Sequence, residues 1–221
     1  MPLDSTLDTT LFNQIDFYTP QLVRFINRTP ELNVLEIAKL FFGDDTAGVG
    51  LSSLAVPQES HQSAAVNVEI SCQELDWQVS SLEQLCTLFL PSTSAPEGLY
   101  IYPWNDYPGS YPYRKDTGNI ENSLWLALLH PFTAAKNLYL SKEFMPGIAP
   151  ALQELAGGRT TELLPTLQNI FLEEAEPSGP VQEAIGMFVA ARQLSGHPVA
   201  VSRWEGDSPL LEQLRLRRRD L

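Results

Sequence analysis

The chain has 221 residues, 43% of them hydrophobic and 10% aromatic, and a formal net charge of −13. One domain of ordinary size is expected from that length, and the hydrophobic content excludes the disordered regime of low hydrophobicity and high charge. Arg215, Arg217, Arg218 and Arg219 cluster in the last seven residues, and the remainder carries 10 basic against 26 acidic side chains, a surface that repels phosphate backbones and makes nucleic acid an unsuitable ligand.

The first residues, MPLDSTLDTT, have neither a basic nor an apolar signal region, so secretion is not expected. TLDT around Leu7 predicts a first strand, and Leu22, Phe25 and Ile26 after Thr19-Pro20 predict a helix with proline at its first position. VLEI around Leu35 predicts the next strand. The polar, glycine-rich stretch 43–64 reads as a loop where a helix is due. NVEI around Val68 is the third strand, followed by a helical stripe at Leu82, Leu85, Cys86 and Phe89, with Ser80 and Glu83 at capping-box spacing.

GLYI around Leu99 leads into 102–119, a Tyr- and Pro-rich insertion. Trp125, Leu128, Leu129 and Phe132 then form a helical stripe, and NLYL around Leu138 a strand. The run AGGRTTE, 156–162, has no Lys-Ser/Thr to make a phosphate loop and reads as a helix end with glycine at positive φ. NIFL around Ile170, a helix carrying Val181, Ile185, Phe188 and Val189 after Gly179-Pro180, and PVAV around Val199 complete the series. Residues 207–221 read as a C-terminal helix with a basic end.

The strand copies repeat at steps of 28 to 39 residues, 32 on average. A fixed period of one strand and one helix is the pattern of a repeat protein. The expected fold is therefore α/β, a leucine-rich-repeat solenoid of about seven strand-helix units with a curved parallel sheet, spanning 1–206 with loop insertions at 43–64 and 102–119.

The sequence offers little for catalysis. His61, His130 and His197 fall in unrelated units, Cys72 and Cys86 have no C-x-x-C partner, and no G-x-S-x-G elbow occurs. No metal, no cofactor and no catalytic residue are expected, and the two thiols suit an intracellular chain, cytoplasmic or nuclear. The apolar run SLWLALLHPF is too short for a membrane span.

What remains is a surface. The residue between the two inward apolar positions of each strand must face outward; in order these are Asp8, Glu36, Glu69, Tyr100, Tyr139, Phe171 and Ala200. Three aromatics on consecutive strands, with Tyr102 beside them and Glu36 and Glu69 as acidic flank, form the candidate protein-binding patch. The 102–119 insertion folding back over it is the alternative arrangement.

The wording of FNQIDFYTPQLVRFINRTPEL, SCQELDWQVSSLEQLC, NIENSLWLALLHPFTAAKNLYLSKEF, ALQELAGGRTTELLPTLQNIFLEE and SGPVQEAIGMFVAARQLSGHPVAVSRWE resembles the C-terminal half of the F-box and leucine-rich-repeat family of mushroom-forming fungi, over Leu7 to Glu205. The resemblance implies repeats that present substrates for ubiquitin transfer, and an N-terminal F-box that docks on a Skp-type adaptor of a cullin-RING ligase. Only six residues precede Leu7, so no F-box is expected within this sequence. The leading expectation is a non-catalytic protein-binding domain similar to the substrate-recognition region of such an adaptor. A free scaffold or decoy that recruits no ligase is the alternative. A hydrolase or nucleotide enzyme on a doubly wound sheet is the second alternative; it needs a crevice where strand order reverses.

Overall fold

The computed structural model describes residues 7–12, 24, 35–52, 66–90, 96–104, 116–173 and 178–204. Its strands are β1 (Leu7–Phe12), β2 (Ile37–Phe42), β3 (Thr46–Ser52), β4 (Val66–Ser71), β5 (Gly98–Pro103), β6 (Asn137–Leu140), β7 (Asn169–Glu173) and β8 (Ala200–Trp204). The helices described are α1 (Leu75–Phe89), α2 (Asn122–Leu129), α3 (Met145–Glu154) and α4 (Pro180–Leu194), with short 3-10 turns at Thr117–Asn119 and Leu155–Gly157. The fold is α/β, built on one sheet of order β1-β4-β3-β2-β5-β6-β7-β8.

Each of the seven sequence copies lies on a strand or within two residues of one. From β2 through β5, β6 and β7 to β8 the strands pair in parallel and in chain order. The N-terminal part departs from the expected parallel ladder. There β4 pairs with β1, and β3 stands antiparallel between β4 and β2, so the sheet is mixed.

The departure originates in 43–64, read from sequence as a loop. Thr46–Ser52 is a strand whose Ala47, Val49 and Leu51 enter the core. Glycines 48 and 50 occupy the alternate positions, where their low strand preference hides the period of two. Gly48 has a steric reason: a Cβ there would stand 2.7 Å from Cε2 of Phe41 and 2.7 Å from the Val68 carbonyl oxygen. The glycine lets the Phe41 ring lie across β3. Gln78, buried on α1, fastens the β2–β3 turn by donating from Nε2 to the carbonyls of Gly43, Thr46 and Cys72.

Helix α1 buries Val79, Leu82, Leu85, Cys86 and Phe89, the expected stripe. It begins at Leu75, however, so Ser80 and Glu83 lie inside it and form no capping box. Helix α2 buries Trp125, Leu128 and Leu129, and α4 starts at Pro180 behind Gly179 as the sequence indicates. Gly158 closes the turn after α3 at φ 105°, the left-handed conformation only glycine enters without strain.

Helix α3 was hidden by its own composition. Its stripe of Met145, Ile148, Ala149 and Leu152 is interrupted by Pro146, Gly147 and Pro150, residues that argue against a helix. Pro146 falls in the first turn, where its missing N–H costs nothing. Gly147 permits close contact: a Cβ on it would stand 2.5 Å from the Thr117 carbonyl oxygen and 2.6 Å from Trp125 Nε1.

Helices α1, α2, α3 and α4 pack in a row, each on the next, over one face of the sheet. The strand residues facing them, among them Leu40, Val49, Val68, Leu99, Ile101, Leu138, Leu140, Ile170 and Leu172, form one core with the helical stripes. Every parallel crossover, from β1 to β2, from β4 to β5 and onward, moves the same way across the sheet. Crossovers of one hand and one direction put their helices on one side. The opposite face of the sheet carries none of the four described helices. At the outer edge Val201 of β8, in register with the fully buried Ile170, is 43% exposed, whereas Val199 just before β8 is still part of the core.

Candidate protein-binding face

The helix-free face is built from alternate residues of each strand, and the register fixes which of them stand side by side. Lys39, Tyr100, Tyr139, Phe171 and Ser202 form one row on β2, β5, β6, β7 and β8. Within it the Tyr100 and Tyr139 rings stack 4.0 Å apart with planes 1° from parallel, and Tyr139 and Phe171 stack 4.5 Å apart at 7°. Parallel strands about 4.8 Å apart impose this spacing on equivalent side chains. All three rings are half-buried.

Trp204 of β8 lies across this row. Its ring is 5.9 Å from Tyr100 and 5.7 Å from Tyr139, at 74° and 73° to them. Nearly equidistant and nearly perpendicular, it bridges the edges of both tyrosines, the geometry in which electron-poor ring edges meet an electron-rich face. The aromatic row is therefore partly roofed by a residue of the same sheet.

On the side toward the strand N-termini, Asn169 Nδ2 donates to Asn137 Oδ1 at 2.8 Å, linking β6 and β7 on the same face. On the other side, Glu69, Gly48, Phe41 and Tyr102 form the neighbouring row, which Glu173 and Trp204 continue on β7 and β8. Phe41 is 4.6 Å from Trp104 and 6.5 Å from Tyr102 by ring centroid. Ile37 and Phe41 on this face of β2 are 4% and 3% exposed, whereas Lys39 between them is half-buried like Tyr100, Tyr139 and Phe171. Desolvation pushes the Tyr102 hydroxyl well above its ordinary 10.0.

Of the expected patch, Tyr100, Tyr139 and Phe171 are brought together, and Tyr102 stands two residues along β5 on the same face. Glu69 is on the face but in the Tyr102 row, separated from that tyrosine by Gly48 and Phe41; its Oε1 accepts from Asn67 Nδ2. Glu36 is displaced. It precedes β2, where its backbone bridges Ser52, Glu97 and Gly98, and the β2 residue in register with Tyr100 is Lys39. Asp8 is in register with Asn67 on β1, and Ala200 with Asn169, one row away from Phe171. Extending the alternation from Phe171 by two residues reaches Glu173, and from Ala200 by four reaches Trp204; Phe41 lies at the opposite parity to Glu36 and is not reached this way. Residues 105–115 of the insertion and the basic segment 207–221 lie outside the described residues.

Among the described residues no group of three or more His, Cys, Asp or Glu could hold a metal ion, and no helix is long and apolar enough to cross a membrane. An open cleft of about 610 Å³ lies between the starts of α1 and α2, lined by Glu74, Asp76, Asp116 and Glu121. Two of these carboxylates serve local structure, Asp116 accepting from Gly118 N and Asn119 Nδ2, and Asp76 from Trp77 N. No family model matches the chain, and neither a curated protein nor a solved structure matches it.

Proposed function

We propose that the chain is a non-catalytic protein-binding domain whose partner docks on the helix-free sheet face, as in the substrate-recognition region of an F-box adaptor of a cullin-RING ubiquitin ligase. The observation that carries the reading is the stacked Tyr100–Tyr139–Phe171 row, half-buried on a face without a described helix. Large aromatics are disfavoured on a merely solvated sheet, and in central positions they are the side chains that anchor protein partners. The in-order parallel run from β2 to β8, with a helix after β4, β5, β6 and β7, also supports a leucine-rich-repeat-like solenoid for that part of the chain. A doubly wound enzyme is less well supported, because crossovers that all move one way leave no crevice of reversed strand order.

The test is a photo-crosslinking residue placed at Phe171 and, separately, at Glu162, an exposed residue of the connection between α3 and β7. Crosslinked protein adducts confined to position 171 are expected. Adducts at 162 alone would overturn the assignment of the face. Recovery of a Skp-type adaptor with the chain distinguishes the ligase reading from a free scaffold or decoy.

A further inference from the structure

We propose that the chain's own residues 207–221 close the open end of the sheet, docking as a helix against β8 and the outer side of α4. Among the described residues β8 is the last strand of the sheet and pairs only with β7. Its Val201 and Arg203 are in register with Ile170 and Leu172, which are 0% and 1% exposed, yet Val201 is 43% exposed and Arg203 is exposed as well. The order of elements explains the difference. The strands β5, β6 and β7 each have a helix before and a helix after them, whereas β8 has only α4, which precedes it. The same gap shows on α4. Its Met187 Sδ accepts from Gln153 Nε2 of α3, and at about 100° per residue Gln182, Val189 and Gln193 lie on the side of the helix away from that contact; Val189 there is only half-buried.

The sequence supplies the occupant. The last described residue is Trp204, on the open strand itself, and 205–221 follow it directly. Ser208-Pro209 repeats the proline-first start of α4 at Gly179-Pro180. Glu205–Ser208 separate it from β8 as Ser141–Phe144 separate β6 from α3. Wound as a helix, 209–221 bring Leu210, Leu211, Leu214 and Leu221 to one side and leave Leu216 off it. That helix is about 20 Å long, a match for the roughly 17 Å of β8. Charge chooses between occupants. Arg215, Arg217, Arg218 and Arg219 are drawn to a remainder with 10 basic against 26 acidic side chains, whereas a second copy at −13 is repelled. So docked, the segment covers the apolar surface left on Val201 and Val189 and shields an edge otherwise open to pairing with other chains.

The experiment uses the full chain with benzoylphenylalanine, a photo-crosslinking residue, in place of Val201 and, as a control, in place of the exposed Glu162. After irradiation and proteolysis, an intrachain adduct between position 201 and a peptide within 207–221 is expected, at a yield independent of protein concentration. The control should give no adduct to that peptide. Crosslinked dimers whose yield grows with concentration would identify a second copy as the occupant and overturn the proposal. Adducts from 201 to any other peptide, or none at all, would overturn it too.

A second measurement leaves the edge itself unaltered. In a Leu211→Ser/Leu214→Ser variant of the full chain, deuterium exchange at residues 199–204 should quicken on the order of tenfold, while exchange in β6, Asn137–Leu140, stays as in the parent. Equal exchange at 199–204 in variant and parent would show that the segment does not cover β8.

Discussion

Arg192 is a buried cation on α4 with no carboxylate partner among the described residues, and its removal should be among the costliest substitutions in the chain. The guanidinium is fully buried. It donates from Nη1 to the Thr160 carbonyl at 2.9 Å, and from Nη2 to Leu167 at 3.0 Å and Pro165 at 3.4 Å. All three acceptors belong to the connection between α3 and β7, so one side chain ties that connection to the last described helix. Arg192→Met keeps much of the apolar volume and removes every donor. Two good bonds to a charged group are worth about 1.5–3 kcal/mol each, a gross loss of about 3–6 kcal/mol. Relief of the buried charge returns part of this, leaving about 2–4 kcal/mol. With a urea slope of about 2 kcal/mol per molar, the unfolding midpoint should drop by about 1–2 M. Arg159→Met, at an exposed ion pair with Glu162, should change stability by less than about 0.5 kcal/mol. A drop for Arg192→Met no larger than that of Arg159→Met would refute the idea that these carbonyls depend on the guanidinium.

Three further outcomes are expected. Gly147→Ala should destabilise by about 1–3 kcal/mol in the same urea assay, since the added methyl meets a backbone carbonyl and the Trp125 indole; a neutral result would show that α3 shifts freely on α2. Burial pushes the Cys86 thiol far above its ordinary 9.0, so its contribution is present below pH 9 and is lost above it, as the unfolded chain gains a thiolate that the folded chain does not. Above pH 9, Cys86→Ala should lose stability less steeply than the parent by up to about 1.4 kcal/mol per pH unit, and identical slopes would contradict the assignment. Phe41→Ala should cost about 3–5 kcal/mol by thermal unfolding, as it uncovers Gly48 and removes the Trp104 contact.

The strand positions were legible because inward pairs such as Leu138/Leu140 and Ile170/Leu172 alternate with single polar or aromatic residues, a period that only a half-buried strand produces. The order of pairing at the N-terminal end was not legible. Apolar alternation says that a strand is buried, not which neighbour it joins, and Gly48 and Gly50 erased the outward half of the pattern in β3. Helix α3 escaped because propensity argued against Pro146, Gly147 and Pro150, whereas packing on Trp125 overrides it. At the face, the Tyr100–Tyr139–Phe171 row followed from alternation alone. Lys39 did not, since the second strand copy took Leu35 and Ile37 as its inward pair, whereas in β2 it is Ala38, Leu40 and Phe42 that join the core, and the position of the Trp204 ring over the tyrosines is a contact across the sheet that no spacing encodes.

The account stands most directly on whether the aromatic row is a place of contact. Affinity for a captured partner, compared between the parent chain and a Tyr139→Ala/Phe171→Ala double variant of unaltered circular dichroism, measures this. The account predicts a loss of at least about 30-fold, from anchors worth about 2 kcal/mol or more; retained affinity in a folded variant would contradict it.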